Sequence, residues 1–136
     1  MNRFRIVLFI VLSVLVASCS GTDEFASNSL IGVWNGEVSE RDLLYDLSMR
    51  IARLDTGRAA GTATYSGAVS CVGTLTFEGE NDGVFAFRET VDDETVCADG
   101  GWIEVWRGVD GSLQWEWFRS EAESQPDAVA TLRRGA

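Results

Sequence analysis

From residue 30 onward the sequence alternates between apolar and polar residues, and this alternation constrains the fold more than any other feature. The clearest case is the segment 45–51, in which the odd positions are apolar and the even positions polar: Tyr45, Leu47, Met49 and Ile51 against Asp46, Ser48 and Arg50. A helix would need apolar residues three and four positions apart, and this segment lacks that spacing. It therefore predicts a β-strand with one face buried.

Further short runs of the same kind follow along the chain, and we count about eight strands. The 14 glycines lie mostly between these runs, and Pro126 is the single proline. Neither an internal repeat nor a second domain is recognisable. Residues 30–134 are therefore predicted to form an all-β domain, a single small antiparallel meander barrel or a sandwich. Closing a barrel would also remove the unpaired edge strands that favour aggregation.

One predicted hairpin joins a strand containing Phe77 to a strand containing Phe87. A three-residue loop, Asn81 to Gly83 with Gly83 left-handed, would place Phe77 opposite Phe87 on one face. A two-residue loop would place them on opposite faces. The three-residue loop is the prediction because both phenylalanines then face the core.

A second predicted hairpin turns at Asp110-Gly111, a pair that favours a two-residue turn. This register pairs Trp106 with Trp115 and places four of the five tryptophans on one face. We take that face as the candidate ligand-binding surface, since aromatic rings offer large contact areas and polar groups beside them could orient a ligand. The alternative is a barrel core filled by its own side chains. The candidate residues are Trp102, Glu104, Trp106, Trp115, Trp117 and Arg119.

The charged residues exclude several kinds of function. The chain has 21 acidic and 11 basic residues, a net charge of −10, and every basic residue is Arg. Without His or Lys there can be no histidine metal site, no Ser–His–Asp arrangement and no Schiff-base lysine. The acidity argues against nucleic acid as a partner. The acidic segment 92–99 could bind calcium through clustered oxygens, but it lacks EF-hand spacing and is interpreted as a solvated loop. We therefore expect no metal and no cofactor. We also expect no enzymatic activity, because no free thiolate remains if Cys19 is acylated and the other two cysteines are bonded.

The N-terminus has the features of a secretory signal. Residues 1–5 carry two arginines, and the apolar run 6–16 is followed by the small residues 17–18 and Cys19. That run is too short for a transmembrane helix, which needs about 20 apolar residues. The alternative is a buried N-terminal helix.

The segment Val16-Ala17-Ser18-Cys19 resembles the lipobox of bacterial lipoproteins. The resemblance implies removal of residues 1–18, acylation of Cys19 with chains such as palmitate, and a flexible tether over residues 19–29. Ser20 after the cysteine favours the outer membrane in Gram-negative members of that family. The expected location is therefore the bacterial cell envelope, with a lipid anchor on Cys19 and the domain facing the periplasm or the exterior.

If lipid occupies Cys19, two of the three cysteines remain, and an oxidising compartment would favour a disulfide between Cys71 and Cys97. The alternative is a pair of unlinked buried thiols. Cys71 also shares the parity of Leu75 and Phe77, so it is expected to point inward.

Gly32-Val33-Trp34 near the start and Arg133 near the end are similar to the pattern of the calycins, the lipocalins and their relatives. The resemblance implies a lipocalin-like barrel with Trp34 and Arg133 as a structural plug at one end. The expected function is a membrane-anchored, non-catalytic binding module for a small or apolar ligand. The alternative is an envelope interaction, inhibitor or scaffold module, whose acidic surface would suit a basic envelope protein.

Overall fold

The computed structural model describes residues 28–136, which form eight β-strands. The predicted signal segment, Cys19 and the tether up to residue 27 lie outside this range. Within it, no helix is long and apolar enough to cross a membrane. The strands are β1 (Gly32–Glu40), β2 (Leu43–Ile51), β3 (Ala59–Gly67), β4 (Cys71–Asn81), β5 (Val84–Val91), β6 (Trp102–Arg107), β7 (Leu113–Phe118) and β8 (Ala128–Arg134).

Each strand pairs antiparallel with the next, and β8 pairs with β1 to close the sheet into a barrel. The predicted all-β meander barrel of eight strands is confirmed, and the sandwich is not formed. Alternation sets the inside and outside of this barrel. In β2 the odd residues from Tyr45 to Ile51 are buried, as predicted, while Asp46 and Arg50 are exposed. The largest fully buried side chains include Trp34, Leu47, Met49, Leu75, Phe87, Ile103, Trp115 and Leu132.

The hairpin between β4 and β5 pairs Phe77 with Phe87, as predicted, but through a different loop. The turn contains two residues, Asp82 and Gly83, both with positive φ (52° and 80°). The register then shifts between Phe77 and Gly79, where Glu78 is an extra residue in a β-bulge. The bulge restores the parity that a two-residue turn alone would have reversed, so both phenylalanines remain inside.

The predicted register of the hairpin between β6 and β7 is wrong by one residue. Trp106 pairs with Gln114, and Trp115 pairs with Val105, because the loop runs from Gly108 to Ser112 rather than turning at two residues. The Gly108 amide donates to the Ser112 carbonyl at 2.9 Å and closes the longer loop. Within it, the Ser112 hydroxyl donates to the Asp110 carboxylate at 2.5 Å. A shift of one residue exchanges the faces of a strand, so the four tryptophans do not share a side.

Trp34 closes one end of the barrel, which we call the closed end. Its side chain is fully buried, and its indole Nε1 donates to the Leu30 carbonyl at 2.8 Å. The guanidinium carbons of Arg134 and Arg107 lie 4.4 Å and 5.0 Å from the centroid of the indole ring. Arg134 also donates to the backbone carbonyls of Ser29 and Ile31.

The arginine of this plug is therefore Arg134, and the prediction of Arg133 is wrong. Leu132 is buried in β8, so Arg133 points outward, where it pairs with Asp110 at 2.9 Å, while Arg134 returns to the inner side. Gly32 has φ of +140°, a backbone conformation that residues with a Cβ rarely adopt, and a Cβ there would also displace the guanidinium of Arg134. The Gly-x-Trp pattern thus has a steric basis at this end of the barrel.

Cys71 and Cys97 form the predicted disulfide, with their Cα atoms 6.5 Å apart. The bond ties the first residue of β4 to the 92–101 loop between β5 and β6. In the chain-entropy model, closing a loop with a sequence separation of 26 stabilises the fold by about 3.5 kcal/mol. The disulfide therefore holds this loop over the end of the barrel opposite Trp34.

The two neighbouring arginines allow the plug to be tested with a matched control. Arg134→Met should lower the free energy of unfolding by about 1–2 kcal/mol, because it removes a cation–π contact and two hydrogen bonds to carbonyls. Arg133→Met should lower it by less than about 0.5 kcal/mol, since it breaks only an exposed ion pair. Urea denaturation followed by tryptophan fluorescence measures both. Equal losses in the two variants would contradict the assignment of Arg134.

Candidate ligand site

The structure places only two of the predicted site residues inside the barrel. Trp115 and Trp117 are buried inside the barrel, whereas Trp102, Glu104 and Trp106 lie half-buried on the outer surface of β6. Trp102 donates from Nε1 to Glu104 at 3.0 Å on that outer surface. Arg119 follows β7 and lies 3.9 Å from Asp127. The predicted tryptophan face is therefore divided between the two sides of the sheet.

A cavity of about 100 Å³ lies at the end of the barrel opposite Trp34, and we call it the mouth cavity. Below it, buried apolar side chains form one continuous core down to the closed end. Val69 and residues 96–98 line its rim. Its remaining lining consists of two carboxylates, Glu40 and Glu89, and four aromatic side chains that we call the aromatic wall: Tyr45, Tyr65, Trp115 and Trp117.

Three rings of the aromatic wall form edge-to-face contacts. The centroids of Tyr45 and Tyr65 are 6.0 Å apart with an interplanar angle of 72°, and those of Tyr65 and Trp115 are 6.5 Å apart at 60°. This geometry is a favourable one for aromatic pairs and stabilises the positions of these three rings. Trp115 Nε1 is buried and has no hydrogen-bond partner among residues 28–136. The wall thus includes one N–H donor that this part of the chain does not satisfy.

Glu89 is the buried charged residue of the site, with only 2% of its surface exposed. The Tyr65 hydroxyl donates to its Oε1 at 2.8 Å, and Trp117 Nε1 donates to its Oε2 at 3.1 Å. Gly73 on the neighbouring strand leaves room for it, since a Cβ at that position would collide with the carboxylate. A carboxylate inside a barrel is costly without such partners, so its position reflects a specific local arrangement.

Glu89 was not among the site residues predicted from the sequence, although the alternation in β5 contained the signal. Phe85, Phe87 and Glu89 share one parity in β5, so the inner face of the strand ends in a glutamate. An acidic residue at the end of an apolar face is ordinarily taken as the point where a strand leaves the core. Only the hydrogen bonds from β3 and β7 distinguish this buried carboxylate from an exposed one.

Burial raises the pKa of Glu89 to about 6, the hydrogen bonds from Tyr65 and Trp117 oppose this rise, and the negative charge of Asp99 adds to it. Glu89 is consequently ionised in most molecules at neutral pH. Burial also raises the pKa of Tyr65, with a further contribution from Glu89, and burial raises that of Tyr45, with its hydrogen bond to Glu40 adding to the rise. Both tyrosines therefore act as neutral donors.

The acidic residues of the 92–101 loop stabilise the loop itself. Asp92 accepts a hydrogen bond from the Val72 amide at 2.8 Å, and Asp99 accepts one from the Val91 amide at 2.8 Å. Asp93 accepts from the amide and hydroxyl of Thr95. In the range 28–136, no group of three or more His, Cys, Asp or Glu side chains could hold a metal ion.

Comparison of the chain with protein-family models, curated proteins and solved structures found no significant match. The candidate site is therefore assigned from its own geometry.

The buried Glu89 should leave a distinct signature in the pH dependence of stability. A carboxyl group whose pKa rises from 4.5 to about 6 on folding stabilises the folded protein through its protonated form. This stabilisation is complete only below the pKa of the unfolded state, 4.5. This contribution is lost as the pH rises through 6, a change of about 2 kcal/mol. Glu89→Gln cannot titrate, so the wild type should lose about 2 kcal/mol relative to this variant between pH 4 and pH 7.

Urea denaturation at each pH measures this difference. Glu104→Gln, on the outer surface, is the control: it keeps Glu89, so its stability should fall with pH as that of the wild type does. A wild type and a Glu89→Gln variant whose stabilities run parallel over this pH range would be inconsistent with a buried, titrating Glu89.

Proposed function

We propose that this chain is a lipid-anchored, non-catalytic binding module of the bacterial cell envelope, and that a small ligand binds in the mouth cavity. The observation that carries the proposal is the buried carboxylate of Glu89, held by Tyr65 and Trp117 at the wall of that cavity. Converging polar groups in a cavity walled by aromatic side chains are typical of sites that orient a ligand. A core that served packing alone would be more stable with an apolar residue in place of Glu89.

The size of the cavity favours a small ligand over a long apolar one. Pockets for drug-sized molecules span about 300–1,000 Å³, whereas the mouth cavity has a volume of about 100 Å³. A fatty acyl chain would have to displace the core beneath Trp115. The ligand is therefore a molecule of a few heavy atoms, or one small group of a larger molecule.

A titration with small fragments tests this proposal. At least one fragment should change the tryptophan fluorescence of the full chain and bind at least tenfold more weakly to Trp117→Phe, which loses the indole donor to Glu89. Trp106→Phe is the matched control, because Trp106 lies on the outer surface, and it should bind as the wild type does. If no fragment responds, or if every response survives in Trp117→Phe, the proposed site is wrong.

A second candidate function is the binding of a basic envelope protein on the outer surface of β6 and β7. Glu104 and Glu116 are directly opposite each other there, beside Trp102 and Trp106. Partial burial and the like charge of Glu104 raise the pKa of Glu116. A basic side chain would relieve this repulsion. Loss of partner binding in Trp106→Phe but not in Trp117→Phe would favour this second function.

The anchor is proposed from the lipobox resemblance and is tested separately. A fatty-acid analogue fed to a Gram-negative host should label the wild-type chain and leave Cys19→Ala unlabelled, because the lipid is attached at Cys19. The Cys71→Ala, Cys97→Ala double variant is the control and should keep the label. An intact mass that retains Met1, or label that persists in Cys19→Ala, would contradict the anchor.

A further inference from the structure

We propose that the mouth cavity selects a small organic ammonium ion, with Glu89 as the counter-charge and the aromatic wall as a partial cage around the cation. This inference rests on the proposed function and names the chemical class of its ligand. It depends on the charges around the cavity, on the aromatic surfaces that face it, and on the limited number of oxygen atoms available.

The charged residues around the cavity favour a cation. Glu89 is buried and mostly ionised at neutral pH, and the two side chains that donate to it, Tyr65 and Trp117, are neutral. The residues of the range 28–136 that line the cavity include a second carboxylate, Glu40, and no arginine. Because buried charges in proteins are ordinarily paired, a ligand with a positive charge fits this cavity better than a neutral or anionic one.

The aromatic wall also favours a cation. Four rings line a cavity of about 100 Å³, and aromatic rings attract a cation that lies over their faces within about 6 Å of the centroid. The rings also keep water away from the charge, which strengthens its attraction to Glu89. The net charge of −10 repels anions from the domain and steers cations toward it.

The small number of available oxygen ligands favours an organic cation over a metal ion. Calcium takes six to eight oxygen ligands, and magnesium demands an octahedral arrangement. Here Glu40 and Glu89 already accept hydrogen bonds from Tyr45 and Tyr65, at 2.7 Å and 2.8 Å. Each carboxylate oxygen of Glu89 keeps a free lone pair beside its present bond, which an ammonium N–H can use. A small ammonium group therefore matches both the hydrogen-bonding capacity and the aromatic surface.

The experiment compares three probes of similar size and different charge: propylammonium, 1-propanol and propionate. Binding is followed by the indole N–H signals of the full chain in ¹H–¹⁵N NMR spectra, at constant ionic strength. Propylammonium should shift the Trp117 signal saturably, with an affinity at least tenfold above that for 1-propanol or propionate. The Trp102 signal is an internal control, because its indole donates to Glu104, a carboxylate on the outer surface.

Substitution and pH then test the role of Glu89. Glu89→Gln keeps the shape of the side chain and should weaken propylammonium binding at least tenfold, whereas Asp46→Asn, at an exposed carboxylate of β2, should leave it unchanged. In the wild type the affinity should fall as the pH is lowered through about 6, because the carboxylate is protonated while the alkylammonium ion stays charged. The other titratable groups facing Glu89 are Tyr65 from β3, Asp99 from the 92–101 loop, and Glu40 and Tyr45 across the cavity.

The outcomes separate this inference from the proposed function. Equal affinity for 1-propanol or propionate, unchanged binding in Glu89→Gln, or an equal shift of the Trp102 signal would overturn the ammonium selectivity. If neutral fragments bind and their binding depends on Trp117, the proposed binding function is retained without the selectivity for ammonium ions. If none of the probes binds in the cavity, both the proposed function and the ammonium selectivity are wrong. The probe comparison and the pH dependence use the wild type, so the inference remains testable if Glu89→Gln does not fold.

Discussion

The hydrogen bonds between β1 and β8 close the sheet, and the other features of this domain depend on that closure. Once the last strand pairs with the first, one face of every strand is enclosed and the other meets solvent. A small barrel of eight strands has an interior just wide enough to be filled by side chains or to hold one small ligand. One apolar core fills the interior between Trp34 and the level of Trp115, and the mouth cavity lies above it.

The two ends of the barrel carry opposite charges. At the closed end, Arg107 and Arg134 cover the face of Trp34 and bind backbone carbonyls, so each cation has an aromatic or polar partner. At the mouth, Glu89 is held by neutral donors alone. Burying that carboxylate reduces stability at neutral pH, which is why its position suggests a binding role more strongly than the tryptophans do.

Loop length explains where sequence reasoning succeeded and where it failed. The alternation in β2 correctly indicated which residues face the core, because alternation is a local property of an extended backbone. In the β4–β5 hairpin the facing pair was right and the loop was wrong, since the bulge at Glu78 compensated for the shorter turn. Between β6 and β7 nothing compensated, so the loop from Gly108 to Ser112 moved Trp102 and Trp106 to the outer surface.

The sequence by itself determined the all-β class and the approximate number of strands, because the alternation of apolar and polar residues is readable without contacts between distant residues. The disulfide between Cys71 and Cys97 was expected from the sequence only if lipid occupies Cys19, and the tertiary structure brings the two cysteines together. The tertiary structure decided which arginine covers Trp34 and which tryptophans face inward. One additional residue in a loop or at a strand end reverses which side chains of a strand point into the barrel. The mouth cavity was decided in the same way. Glu89, Tyr65 and Trp117 lie on β5, β3 and β7, and only closure of the barrel brings their polar atoms within hydrogen-bond distance.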